Sequence, residues 1–314
     1  VQPGNAIAQQ KPQPVKRIAI LMSLAKDDPE GQARFNAFME GLQKYGWTDG
    51  KNLRVDIRWT AGEAENIRAS AAELAALAPD VILASGGTVI GPMMQATRTI
   101  PIVFTQVTDP VEAGHVSSLA HPGGNVTGFL QLEYSLSEKW LELLREISPG
   151  VKRVAVIRDP GIAAGKGLYD AIQKVAPTLG IDVVPANMRD AAEIERIVSD
   201  GTTPNSGLIV TPSALAIVRR DLIVTLAAKH RLPAVYPQRF FVAAGGLISY
   251  GPDLVDQTRQ AASYVDRILK GEKPGDLPVQ APVKFDMALN LKTAKELGVE
   301  VPATVIARAD EVIE

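Results

Sequence analysis

The stretch "VILASGGTVIGPMMQA" (residues 81–96) sets four apolar residues ahead of Gly86 and Gly87 and continues as a helix. A strand that turns through glycines directly into a helix is half of a βαβ unit, and its neighbours supply the other half. "NLRVDIRW" and "PIVFT" read as strands, and "AENIRASAAELAALA" reads as a helix ended by Pro79. Upstream, "RIAIL" (17–21) reads as a buried strand. In "EGQARFNAFMEGLQKYG", Phe35, Phe38, Met39, Leu42 and Tyr45 fall at helical spacing before Gly46. Strands alternating with helices imply right-handed crossovers and a parallel sheet, so the first half is α/β.

At residue 121 the punctuation changes. "HPGGNVTGF" holds three glycines and a proline in nine residues and reads as a crossing between domains. The pattern then restarts with a helix over 136–147, followed by "KRVAVIRDPG" (152–161) and further strand–helix pairs. "KRIAIL" (16–21) and "KRVAVI" (152–157) share their character at all six positions, and each opens a βαβαβ series. After "GGLISYGPD" there remain a helix over 253–270, the Pro-rich "KPGDLPVQAP", and a strand–helix pair in "VKFDMALNLKTAKELG". That tail is too small for a domain and must complete the lobes. The expected division is residues 16–128 with 247–278 in one lobe and 129–246 with 279–314 in the other, the ligand cleft lying between them. Residues 1–15 are expected to be a disordered N-terminal segment. Two lobes joined by several crossings make a hinge.

Composition narrows the function. Hydrophobic residues make up 46% and charged residues 22%, and 33 Lys and Arg against 35 Asp and Glu give a formal charge of −2. No basic field points to nucleic acid or an anionic membrane. The absence of cysteine removes disulfides, thiolate nucleophiles and zinc knuckles. No apolar run approaches the roughly 18 residues of a spanning helix. The N-terminal "VQPGNAIAQQKPQPVK" is polar, and its "AIAQQ" has the small-residue character of a cleavage region.

In open parallel sheets, ligands sit beyond the carboxyl ends of the strands. Those ends read "MSLAKDDP", "ASGGTV", "FTQVTDPV", "RDPGIA", "TPSA" and "YPQRF", rich in hydroxyls and leading into helix N-termini. Capping explains any one of them; six facing one cleft point to a ligand site. The glycines of "ASGGTVIG" fail the G-x-G-x-x-G spacing, no Gly-Lys-Ser/Thr follows, and Leu83 breaks the nucleophile-elbow pattern around Ser85. What remains is Ser85 and Thr88 at a helix start, suited to a small anionic or polar group. His115, His121 and His230 lack metal-ligand spacing and read as surface or loop residues. Asp27 and Asp28 before Pro29 suit a helix start. Asp109 in "VTDPVEAG" is open between turn residue and ligand contact. Arg239 is open between pairing a carboxylate and a structural salt bridge. Phe104, Tyr236, Phe240 and Tyr250 are either cleft walls or core.

On "IPIVFTQVTDPVEAG", "HPGGNVTGF", "LELLREISPGVKRVAVIRDPG", "KHRLPAVYPQRFFVAAGGLISYGPD" and "NLKTAKELGVEVPATVIARADEVIE", residues 15–314 resemble the substrate-binding proteins of ABC transporters, in the group of tryptophan and phenylalanine binders. The resemblance implies a type I periplasmic-binding-protein fold: two doubly wound parallel-sheet α/β lobes, three crossovers, and a cleft that closes on a small solute. It also implies export to the periplasm with its signal removed, delivery to a membrane permease and its ATPase, no cofactor, and no enzymatic activity. The chain is expected to act as a monomer without nucleic acid. Carried over by motif, Ser23, Ser85, Gly87, Thr88, Thr108 and Asp109 would meet the ligand from the first lobe, and Asp159, Thr211, Tyr236 and Arg239 from the second. Two departures bear on the ligand. Phe240 stands where relatives often carry an acid after the arginine, and "RDPG" stands where many have "NPG".

The leading expectation is therefore an extracytoplasmic binder of a small carboxylate-bearing solute, an aromatic or branched amino acid or related acid. An α/β enzyme using the cleft would need a base with a partner, and only Asp109 and Asp159 are on offer. A ligand-sensing regulator would need a DNA-binding segment, for which the residues before Val15 are too few.

Overall fold

The computed structural model describes residues 15–188, 191–201 and 204–314. The expected disordered segment lies outside them except for Val15, which is exposed. Strand β1 (Lys16–Met22) is followed by α1 (Pro29–Lys44), β2 (Leu53–Trp59), α2 (Ala64–Ala76), β3 (Val81–Ser85), α3 (Gly87–Ala96), β4 (Ile102–Val107) and β5 (Val126–Leu130). These strands pair in parallel in the order β2-β1-β3-β4-β5. Strands β3, β4 and β5 are buried along their whole length, as continuous apolar strands between two helical layers must be.

The second sheet draws on α4 (Ser137–Ile147), β6 (Arg153–Arg158), α5 (Ala163–Val175), β7 (Asp182–Asn187), α6 (Ala191–Gly201), β8 (Ser206–Val210), α7 (Ala214–Val218), α8 (Arg220–Lys229), β9 (Ala234–Tyr236), α9 (Arg239–Ala243) and β10 (Ile248–Pro252). Helix α10 (Leu254–Leu269) returns to the first sheet, packing against α1 and β4. Strand β11 (Phe285–Asn290), α11 (Leu291–Leu297), α12 (Ala303–Ile306) and β12 (Glu311–Ile313) complete the second. Its order is β12-β11-β10-β9-β8-β6-β7, parallel except for the β10–β11 pair.

Both sheets are covered on both faces. Phe38 of α1 and Val265 of α10 seal one side of the first sheet, and Leu74 of α2 and Met93 of α3 the other. Around the second, Trp140 and Ile172 oppose Ile223 and Phe241. Two three-layer lobes result, linked by three chain crossings: the α/β class and the two-lobed arrangement are as the sequence implies.

The crossings differ from the expected division. "HPGGNVTGF" leads into β5 of the first sheet, so the chain leaves that lobe only over 131–136. Its last glycine serves packing within the lobe: a Cβ on Gly128 would stand 2.1 Å from the Phe104 carbonyl oxygen, whereas Gly123 and Gly124 take positive φ in the turn before β5. The Gly245–Gly246 pair closes α9, and β10 pairs with β9 and β11, so residues 248–252 belong to the second sheet. The third crossing comes after Gln280, which bridges to Phe129 at the edge of the first sheet. Lobe membership follows strand pairing, not glycine and proline punctuation.

Candidate functional site

The carboxyl ends of both sheets face one cleft, and helix N-termini line it from each side. Helix α3 starts after Gly86, which sits at φ +117° and caps nothing with a side chain. A Cβ there would stand 2.2 Å from Ser23 Oγ, so glycine is required where two cleft loops meet. Helix α5 starts after Ile162, again without a side-chain cap. Gly87 and Thr88 from the first lobe, and Ile162, Ala163 and Ala164 from the second, border a single cavity of about 60 Å³. The first-turn N–H groups of both helices bias that space toward negative charge.

Arg34 adds a full charge to it. It lies in the second turn of α1, is 2% exposed, and borders the cavity. Its Nε and Nη2 make no hydrogen bond, and the Glu30 carboxylate comes only to 4.0 Å of Nη2. Burial holds the guanidinium below its ordinary pKa, with Glu30 and Asp28 partly opposing that shift; an arginine nevertheless remains protonated. Thr88 Oγ1 and both amide atoms of Gln238 are likewise buried without a partner on the same cavity. An unsatisfied buried polar group costs about 1–3 kcal/mol, and a buried charge more. Three such side chains converge on one cavity from two lobes and leave it donors and an acceptor that a polar group could meet.

Gln106 borders the cavity at a break in β4, where the register shifts between Thr105 and Val107. Its φ of +56° marks strain beside the site. Ser85 Oγ donates to Gln106 Oε1 at 2.9 Å, and Gln106 Nε2 donates to Thr258 Oγ1 at 2.7 Å.

The lobes are in contact across the cleft mouth. Arg220 Nη1 reaches Asp28 Oδ2 at 3.0 Å, while Asp28 Oδ1 caps α1 through the Glu30 and Gly31 N–H groups. Leu24 of the first lobe packs with Ala214 and Ile217 of the second.

Of the residues expected at the ligand, Ser23, Gly87, Thr88 and Thr108 border the cavity. Ser85 stands behind it, holding Gln106. Asp109, at φ +43°, accepts the Glu112 and Tyr134 N–H groups and so ties β4 to the first crossing. Asp159 accepts the Gly161 N–H at 2.8 Å, its carboxyl raised by burial, and Thr211 Oγ1 donates to the Ile157 carbonyl. Tyr236 is a core ring stacked on Phe241, and its hydroxyl is pushed up by burial. Arg239 is largely exposed and pairs with Glu311 at 2.9 Å: the salt-bridge alternative is the one realised. Phe104 is core, Tyr250 stacks on Phe285, and Phe240 packs on Phe241 beside an adjoining opening. His115, a loop residue as expected, turns out to border the cavity, with its pKa lowered by burial.

Arg34, Gln131 and Gln238 were not among the expected contacts. Arg34 carried a legible signal, since it shares the 3–4 spacing of Gly31, Phe38 and Leu42 on the buried face of α1. Among the described residues no cluster suited to a metal ion occurs, and no helix is long and apolar enough to cross a membrane.

A family model described as ABC transporter substrate binding protein matches residues 17–313. The chain belongs to that family. It is 27% identical over 263 residues to a tyrosine-binding protein of Clostridioides difficile, covering 84% of this chain and 76% of the relative. A conserved domain protein from Vibrio cholerae superposes with a TM-score of 0.88 at 30% identity, covering 95% of this chain and 99% of that one. An ABC domain from Streptococcus pneumonia in complex with L-Trp shares the fold, with a TM-score of 0.88 at 23% identity and the same coverage. The type I periplasmic-binding-protein architecture and the substrate-binding role of the family thus join the geometry of the cleft.

Proposed function

We propose that this substrate-binding protein is the extracytoplasmic component of an ABC importer. Its cleft closes on a small carboxylate-bearing solute, an amino acid or related acid, and delivers it to a membrane permease and its ATPase. The observation that carries the reading is Arg34, a buried guanidinium with unpaired donors on the cavity between the lobes. A carboxylate accepts two of its N–H groups in parallel, and the uncapped N-termini of α3 and α5 favour the same charge. Ser23, Thr88 and Thr108 supply hydroxyls from the first lobe and Gln238 an amide from the second, while Val107, Pro212 and Ile217 offer apolar contacts. Closure places both sets on the solute at once, which couples occupancy to the shape presented to a permease.

The test is a panel of small acids, amino acids and their amides read by thermal unfolding. A ligand at 100 times its Kd stabilises the folded chain by about 2.7 kcal/mol. Acids should raise the Tm and the matching amides should not. Stabilisation by neutral compounds alone would contradict the reading.

A further inference from the structure

Resting on the carboxylate reading above, we propose that the solute carries an uncharged polar group, a hydroxyl or carbonyl, beside its carboxylate, and that the cleft discriminates against an ammonium in that position. Three observations carry this inference.

The charge inventory comes first. Among the described residues, no Asp or Glu side chain borders the cavity, and Arg34 is its only permanently charged group. An ammonium would sit near the guanidinium and two uncapped helix N-termini with no carboxylate on the cavity wall to receive it, since Glu30 faces Arg34 at 4.0 Å from outside that wall.

The nearby acids are occupied elsewhere. Asp28 caps α1 and holds Arg220, Asp109 accepts two backbone N–H groups, and Asp159 holds the Gly161 N–H. Glu30 borders the adjoining opening instead of the cavity and turns its carboxylate to Arg34 Nη2 at 4.0 Å.

Gln238 supplies the third observation. It is 5% exposed, and both its Oε1 and its Nε2 lack partners. A side-chain amide offers one acceptor and one donor side by side. A hydroxyl, itself donor and acceptor, can satisfy both; an ammonium has donors only and leaves Nε2 without an acceptor.

The experiment is titration calorimetry of the full chain with matched sets. Lactate, 2-hydroxyisovalerate and 3-phenyllactate are each compared with the amino acid and the hydroxy amide of the same side chain. In the size class that fits, the hydroxy acid should bind at least about tenfold more tightly than the amino acid, as expected when a buried polar pair is left unmatched. Gln238→Glu, which adds the missing carboxylate, should narrow or reverse that ratio. An amino acid bound as tightly as its hydroxy acid by the unaltered chain overturns this inference and leaves the carboxylate reading standing. An unchanged ratio in Gln238→Glu also overturns it. A hydroxy amide bound as tightly as the acid, or no binding by any member, overturns both.

Discussion

The two walls of the cleft are built from different chemistry. The first lobe contributes Ser23, Arg34, Thr88, Gln106 and Thr108, with the charge and most of the hydroxyls. The second contributes Ile162, Ala163, Ala164, Pro212, Ala214 and Ile217, with Ser213 and Gln238 as its polar groups. Ser213 is partly committed already, since its Oγ caps α7 by accepting the Ala216 N–H. One lobe therefore holds the recognition groups and the other mainly excludes water. Excluding water strengthens every polar contact made by the opposite wall. Under the proposed function, a solute would meet its charge partner on α1 and its hydroxyl partners on the loops after β1, β3 and β4.

Arg34→Met breaks the comparison most severely. It should weaken acid binding by about 100-fold, the equivalent of roughly 3 kcal/mol for a lost charged hydrogen-bond pair. The same substitution removes a buried charge that makes no hydrogen bond through Nε or Nη2 and meets Glu30 only at 4.0 Å, in favour of an apolar chain of similar reach, so the Tm of the solute-free protein should hold or rise. Calorimetry and thermal unfolding on one preparation separate these effects. A variant that loses binding only because it loses its fold would contradict the assignment.

Much of this arrangement could be read in the sequence, and the remainder has physical reasons for having been hidden. Strand–helix alternation fixes the α/β class because a parallel strand buried on both faces needs continuous apolar residues, as in "VILA" and "PIVFT". Ser23, Gly87, Thr88 and Thr108 were legible because strand ends and helix starts are local features. Arg34 is harder to see: an arginine within a helix ordinarily reads as solvated, and only its place on the apolar stripe marks it. Gln106 depends on a shift of strand register that a single sequence does not display. Arg239 stands in a legible motif, yet α9 carries it toward Glu311, some seventy residues further along the chain. The crossings were misplaced because Gly128 and Gly246 are small for packing reasons: Cβ atoms there would press on Phe104 and Tyr236.

The second largest effect concerns closure itself. Arg220 of the second lobe and Asp28 of the first form a largely buried pair at 3.0 Å between the lobes. Arg220→Met should shift the lobes toward an open arrangement and weaken affinity by about fivefold, corresponding to roughly 1 kcal/mol. Small-angle scattering with and without solute reads the shift, and an unchanged affinity would remove the pair from the closing mechanism. The smallest effect sharpens the comparison from the other side. Arg239→Ala removes an exposed pair with Glu311 outside the cavity, so solute affinity should stay the same. A marked loss of affinity would return Arg239 to the binding surface.

The central claim is that a carboxylate is held by Arg34 between two closed lobes. A crystal structure of the protein with its bound acid tests it most directly. The account predicts carboxylate oxygens within about 3 Å of Arg34 Nε or Nη2, with Thr88 and Gln238 sharing the solute's polar atoms. A solute whose carboxylate lies elsewhere, with Arg34 still unpaired, would contradict it.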